Sequence, residues 1–230
     1  MQIITTPVGD ARVDVRAADG GSRLTLVLGH GAGGGIETPD LVALARALPA
    51  RGITVVRVEQ PWRVAGRKVA APPPTLDRAW IAVLHQLGVD GPVAVGGRSA
   101  GARVACRTAL QVGAIGVVAL AFPLHPPGRP EKSRLDELRN AGVPALVVQG
   151  DRDPFGGPAQ FAELSTDTFP RKRAGATSPP AVPRAFPPYT IYLVPGADHS
   201  FRVPKGRSGR AALAEVTAAV ADWLLGDRSG

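Results

Sequence analysis

Short apolar runs alternate with helical stripes along most of the chain. Runs at 11–16, 24–28, 53–58, 93–96, 117–121, 145–149 and 190–194 are rich in Val, Leu and Ile. Several, such as Val117-Val118-Ala119-Leu120-Ala121, hold no polar position at all. A strand without a polar face has to be covered on both sides, as in a parallel sheet flanked by helices. Helical spacing is predicted between these runs, at 39–50, 75–87, 100–111, 131–140, 158–164 and 206–225. The last of these carries Ala211, Ala214, Val216, Ala219, Val220 and Trp223, a stripe suited to packing on a sheet. Strands separated by helices imply right-handed crossovers. The fold class is therefore α/β: three layers around a mostly parallel sheet of about seven strands.

One stretch breaks the pattern. Residues 166–188 hold six prolines and the basic triplet Arg171-Lys172-Arg173, with no apolar period. The expectation there is a surface insertion on a single domain spanning 1–230.

Composition adds exclusions. Hydrophobic residues make up 44% and charged residues 20% of the 230, an ordinary globular balance. One cysteine, Cys106, leaves no intrachain disulfide and no multi-cysteine zinc site, and no metal or cofactor is expected. The start, "MQIITTPVGD", lacks the basic and apolar regions of a signal peptide, and no run spans a bilayer. The reading is a cytoplasmic protein without a membrane partner. The net charge of +8 is spread along the chain, aromatics are only 5%, and no nucleic-acid motif occurs, so no nucleic-acid partner is expected.

Two glycine motifs carry the chemistry. In "GHGAGGG", Gly29, Gly31 and Gly34 satisfy the spacing of a dinucleotide fingerprint. That fingerprint opens a helix, whereas Thr38-Pro39 sets the helix start beyond the glycines. They form a free loop instead. In "GGRSAG", Gly97-Arg98-Ser99-Ala100-Gly101 is G-x-S-x-G between a predicted strand and a predicted helix. This context marks Ser99 as a nucleophile on a turn so tight that only glycine fits at its flanks.

A serine hydroxyl needs a base. Of the four histidines, His199 in "GADHSF" alone follows the last strand, where this topology puts the base. "GDRDPFG" after the sixth predicted strand offers Asp151 and Asp153 as the acid. An oxyanion needs two preset N–H donors. Ala100 supplies one, and Ala32, with Gly33, supplies the other. His30, Arg98 and His125 are the candidates for substrate contact. For His30 an ordering role in the loop, and for His125 a structural role in its turn, is preferred.

"HGAGGG", "GGRSAGARVA", "FPLHPPGRPEK", "VVQGDRDPFG" and "GADHSF" together resemble an α/β-hydrolase of the dienelactone-hydrolase branch. More narrowly, they resemble bacterial relatives of the KANL/TEX-type family. The resemblance spans about positions 28–201 and implies Ser99, Asp153 and His199 as a triad. The chain departs from the common pattern at Arg98 and at Ala100, where methionine is frequent. Backbone logic also separates the two aspartates. Asp151 sits in the tightest part of the turn, while Asp153 precedes Pro154 and is held extended. Only 23 residues join the runs ending at Ala121 and starting at Ala145, so no lid domain is expected.

The function expected is a serine hydrolase of the carboxylic-ester type, cleaving a small ester or thioester acyl substrate through an acyl-enzyme. The competing class is a hydrolase-fold interaction module without turnover. A binding scaffold has no need of all three triad residues.

Overall fold

A computed structural model describes residues 1–165 and 189–226. The insertion expected at 166–188 lies outside the described residues.

Among the described residues eight strands form one sheet in the order β1-β2-β4-β3-β5-β6-β7-β8. They are β1 (Gln2–Thr6), β2 (Gly9–Arg16), β3 (Leu24–Gly29), β4 (Ile53–Glu59), β5 (Val93–Arg98), β6 (Val117–Leu120), β7 (Ala145–Gly150) and β8 (Tyr189–Val194). The helices are α1 (Pro39–Ala47), α2 (Pro61–Val64), α3 (Pro73–Gln86), α4 (Ala100–Thr108), α5 (Leu135–Arg139), α6 (Pro158–Ser165) and α7 (Gly209–Leu225). The strands from β4 to β8 in the sheet are parallel. The β1–β2 and β2–β4 pairs are antiparallel.

The sheet has one strand more than the seven expected. β1 escapes the apolar pattern because it is an edge strand with only Ile4 and Thr6 buried. The helix expected at 131–140 is also shorter. Arg134 N–H is drawn to Leu124 O and Ser133 Oγ accepts from Leu135 N–H, so the chain turns before it coils.

The central strands are buried at every position in β3, β6 and β7, and their side chains alternate between two cores. Val27, Val95 and Val117 face Trp80, Val83, Val104 and Leu138 of α3, α4 and α5. Leu26, Leu28, Ala94 and Val118 face Leu41, Leu44, Val216 and Val220 of α1 and α7. Burying such a side chain fully contributes about 1.5–3 kcal/mol relative to leaving it exposed. Two apolar layers on one sheet are the three-layer arrangement that the all-apolar strands demand.

Cys106 is buried in α4, and burial pushes its thiol up to about 12. On the antiparallel side, Asp14 on β2 lies opposite Arg57 on β4. Arg57 donates to Asp14 from Nε at 3.1 Å and from Nη2 at 2.5 Å, and to Ile36 O from Nη1 at 2.8 Å. That third bond ties the pair to the chain leaving the glycine loop. Among the described residues no helix is long and apolar enough to cross a membrane.

Candidate active site

The carboxyl ends of β3, β5, β7 and β8 converge on one edge of the sheet, where open α/β sheets bind ligands. β5 runs straight into α4, with Ser99 as the residue between them. Its φ of 52° and ψ of −109° are a strained conformation for a residue with a β-carbon. Two glycines make the turn possible by close approach. A methyl group at Gly97 or at Gly101 would collide with the Gly29 carbonyl oxygen of β3. Among the described residues only Ser99, Ala121 and Phe201 combine a side chain with positive φ. All three follow strand ends at this edge.

His199 lies in the loop after β8. Its Nε2 is 3.0 Å from Ser99 Oγ and its Nδ1 is 2.8 Å from Asp153 Oδ2. A carboxylate only accepts, so the proton sits on Nδ1 and leaves Nε2 free to accept from Ser99 Oγ–H. The loop is shaped by Asp198, whose Oδ1 accepts from Ser200 N–H at 2.7 Å and Arg202 N–H at 2.9 Å.

Asp153 is fully enclosed, its side chain 0% exposed. Oδ1 accepts from Phe155 N–H at 2.8 Å, and Oδ2 accepts from Gln149 Nε2 at 2.8 Å in addition to His199. The Phe155 ring then stacks on the His199 ring with centroids 4.2 Å apart. Asp151 faces elsewhere: its Oδ1 accepts from Gly196 N–H at 2.6 Å. The structure thus brings Ser99, His199 and Asp153 into one hydrogen-bonded chain and leaves Asp151 in its own loop.

The glycine loop lies directly over the elbow. A β-carbon on Gly31 would come within 3.4 Å of Ser99 Cβ. Ala100 opens α4, where helix geometry leaves the N–H groups without intrahelical acceptors. Among the described residues neither Ala100 N–H nor Ala32 N–H has a protein acceptor. Both residues border one cavity. Gly33 is exposed, and a β-carbon there would meet nothing within 4 Å.

The three residues expected to contact substrate are committed to the protein. Arg98 is buried beneath the His199 loop: Nη2 donates to His199 O at 2.7 Å and to Ser200 Oγ at 2.9 Å. Its Nε stands 3.0 Å from Asp40 Oδ2, an ion-pair distance. The N–H is off line, for neither oxygen of the buried Asp40 is hydrogen-bonded among the described residues. His125 uses both ring nitrogens, Nδ1 toward Pro126 O at 2.8 Å and Nε2 toward the Gln160 amide at 2.7 Å. His125 N–H also donates to Phe155 O, bracing the residue stacked on His199. His30 donates from Nδ1 to Gly31 O at 2.8 Å and accepts at Nε2 from Gln60 N–H at 3.1 Å. Burial holds its pKa below the ordinary histidine value, so the ring stays neutral. These positions have structural duties because polar groups in so dry a place need partners.

Gln149, Phe155 and Asp40 were not singled out from the sequence. Gln149 had a signal, as the one polar side chain closing the apolar run "ALVVQ". Asp40 had none, because an acid in the first turn of a helix ordinarily serves the helix dipole at the surface.

The profile of the alpha/beta hydrolase domain family matches residues 22–224. Among solved structures, a serine hydrolase without a lid from Xanthomonas campestris superposes with a TM-score of 0.70 at 20% identity, covering 98% of this chain and 95% of that one. Est1E from Butyrivibrio proteoclasticus, solved with ferulic acid bound, gives 0.69 at 14% identity over 97% and 99%. A dienelactone hydrolase from Anabaena variabilis gives 0.67 at 16% identity over 97% and 95%. At such identities the likeness is one of fold.

Proposed function

The chain belongs to the alpha/beta hydrolase family, and from that premise we propose that it is a single-domain serine hydrolase cleaving a small ester or thioester. The observation that carries this reading is His199 bridging Ser99 Oγ at 3.0 Å and Asp153 Oδ2 at 2.8 Å through opposite ring nitrogens.

Ser99 Oγ attacks the acyl carbonyl while His199 Nε2 takes its proton. Asp153 keeps the imidazole in the required tautomer and stabilises the imidazolium that forms. Charge moving onto the carbonyl oxygen is met by Ala100 N–H and Ala32 N–H, the donors left without protein acceptors among the described residues. Collapse of the tetrahedral species expels the alkoxide or thiolate, which takes the proton from His199. Water, deprotonated by the same ring, then attacks the acyl-enzyme and frees Ser99 and a carboxylic acid. Gln149 and the Phe155 N–H hold the Asp153 carboxylate in place throughout.

Labelling with a fluorophosphonate, followed by a panel of acyl esters and thioesters, tests the reading. The adduct is expected on Ser99. Ser99→Ala should lose the label and about 10⁴- to 10⁶-fold in kcat, because removing the nucleophile disables the triad as a unit. An adduct on another serine overturns the assignment. A chain that neither labels nor turns over is instead a hydrolase-fold interaction module.

A further inference from the structure

A cavity beneath the glycine loop is lined by two residues that each carry a buried polar atom left without a partner among the described residues. It is bounded by Ala32, Ala100 and Val104 toward the elbow and by Gln60, Trp62 and Trp80 behind. Trp80 Nε1 and Gln60 Oε1 are both buried without a hydrogen-bond partner among the described residues. Trp80 is 1% exposed and Gln60 5%. The Gln60 amide has one orientation, since Nε2 donates to Leu76 O at 3.2 Å and a flip would set two oxygens against each other. The atom left over is therefore an acceptor. Trp80 Nε1–H is a donor only. Buried polar groups in folded proteins are nearly always paired, so an unmet donor and an unmet acceptor on two residues lining one small cavity point to a missing group.

A hydroxyl answers both, accepting from the indole and donating to the amide oxygen. A ketone answers only Trp80 and an ammonium only Gln60. A carboxylate would face the Gln60 oxygen with no cation among the lining residues. His30 contributes no charge and no free nitrogen. The space open to a water-sized group is about 10 Å³, room for one such group. The cavity also adjoins the reacting centre, through Ala100 and Gly101 after the nucleophile and Gly31 above it.

Resting on the serine-hydrolase reading, we propose that this cavity is the acyl pocket and that it selects a short acyl chain bearing a hydroxyl group, which accepts from Trp80 Nε1–H and donates to Gln60 Oε1. The space suits one water, which a substrate hydroxyl displaces while keeping its two bonds. A methyl group of equal size displaces the water and leaves both polar atoms unmet.

The test uses p-nitrophenyl esters in shape-matched pairs, lactyl against isobutyryl and 3-hydroxybutyryl against isovaleryl. Wild-type kcat/KM should favour the hydroxyacyl member of at least one pair by about tenfold or more, since sites built for a hydroxyl reject its apolar counterpart. Trp80→Phe and Gln60→Met should each cut that ratio toward one. Equal or reversed preference in both pairs overturns the pocket assignment, and the wild-type ratio decides this even if a variant fails to fold. A ratio unchanged in both folded variants overturns it too. A chain that hydrolyses no ester and leaves Ser99 unlabelled instead overturns the hydrolase reading, whereas a labelled Ser99 with the isobutyryl and isovaleryl esters preferred overturns only the pocket.

Discussion

Arg98 donates from Nη2 to the carbonyl oxygen of His199 at 2.7 Å, so the residue before the nucleophile fixes the backbone of the proposed base. The same guanidinium reaches Ser200 Oγ and pairs with the buried Asp40. One side chain thereby joins the elbow, the histidine loop and the start of α1.

Arg98→Lys should lower kcat by about 10- to 100-fold with KM nearly unchanged, since a small displacement of a catalytic group costs on that order. An ammonium is a point donor and cannot span Asp40, His199 O and Ser200 Oγ together. Steady-state kinetics on the best ester, with the fluorophosphonate labelling rate falling in step, checks it. Wild-type kcat in a folded Arg98→Lys protein would refute the positioning role.

Asp153→Asn should cost about 10⁴-fold in kcat, the size seen when a triad aspartate becomes an amide and favours the wrong imidazole tautomer. Asp151→Asn should stay within about tenfold, because its carboxylate accepts a local hydrogen bond from Gly196 N–H and takes no part in the bond to His199. Side-by-side assays of the two variants decide the matter. The reverse ranking would exchange their roles.

Gly101→Ala should destabilise by about 3 kcal/mol or more, or prevent folding, since overpacking against rigid backbone has no rotamer escape. The new methyl group meets the Gly29 and His30 carbonyl oxygens. Gly33→Ala, with nothing within 4 Å of the added carbon, should melt close to wild type. Thermal denaturation of the pair is the measurement. A stable Gly101→Ala protein would contradict the close approach of β3 to α4.

Asp14→Asn should lower stability by about 1–3 kcal/mol at neutral pH, as expected for one partner of a buried pair. Burial opposes ionisation of Asp14, but the hydrogen bonds and charge of Arg57 outweigh it and hold the carboxyl below its ordinary 3.8. A depressed folded pKa gives stability that is full above 3.8 and fades as pH drops through the lower folded value. The melting difference between wild type and variant should therefore be flat from pH 5 to 8 and shrink only in stronger acid. A gap that closes between pH 5 and 7 would show another group at work.

Much of the architecture was legible in the sequence because apolar runs with no polar face dictate a covered parallel sheet. Ser99, Asp153 and His199 stood out for a related reason: each follows a strand in a turn whose glycines, prolines and aspartates punctuate the pattern. β1 did not stand out, since an edge strand buries too little to need a long apolar run. Arg98 is a candidate for substrate contact by its place beside the nucleophile, and nothing local in the sequence tells a buried arginine from an exposed one. Its burial under the histidine loop follows from Asp40, a contact between β5 and α1 that no local pattern encodes. Gln60 and Trp80 were equally silent, because an unmet hydrogen bond exists only in three dimensions.

Cys106 has a practical consequence. It is the only cysteine in the chain, 1% exposed, with a thiol held protonated up to about 12. Thiolate is the reactive form, so maleimides and iodoacetamides find no target on the native molecule. A cysteine introduced at one exposed position becomes a unique attachment point without any background-clearing substitution. A dye or spin label placed near the mouth of the pocket then reports from that position alone.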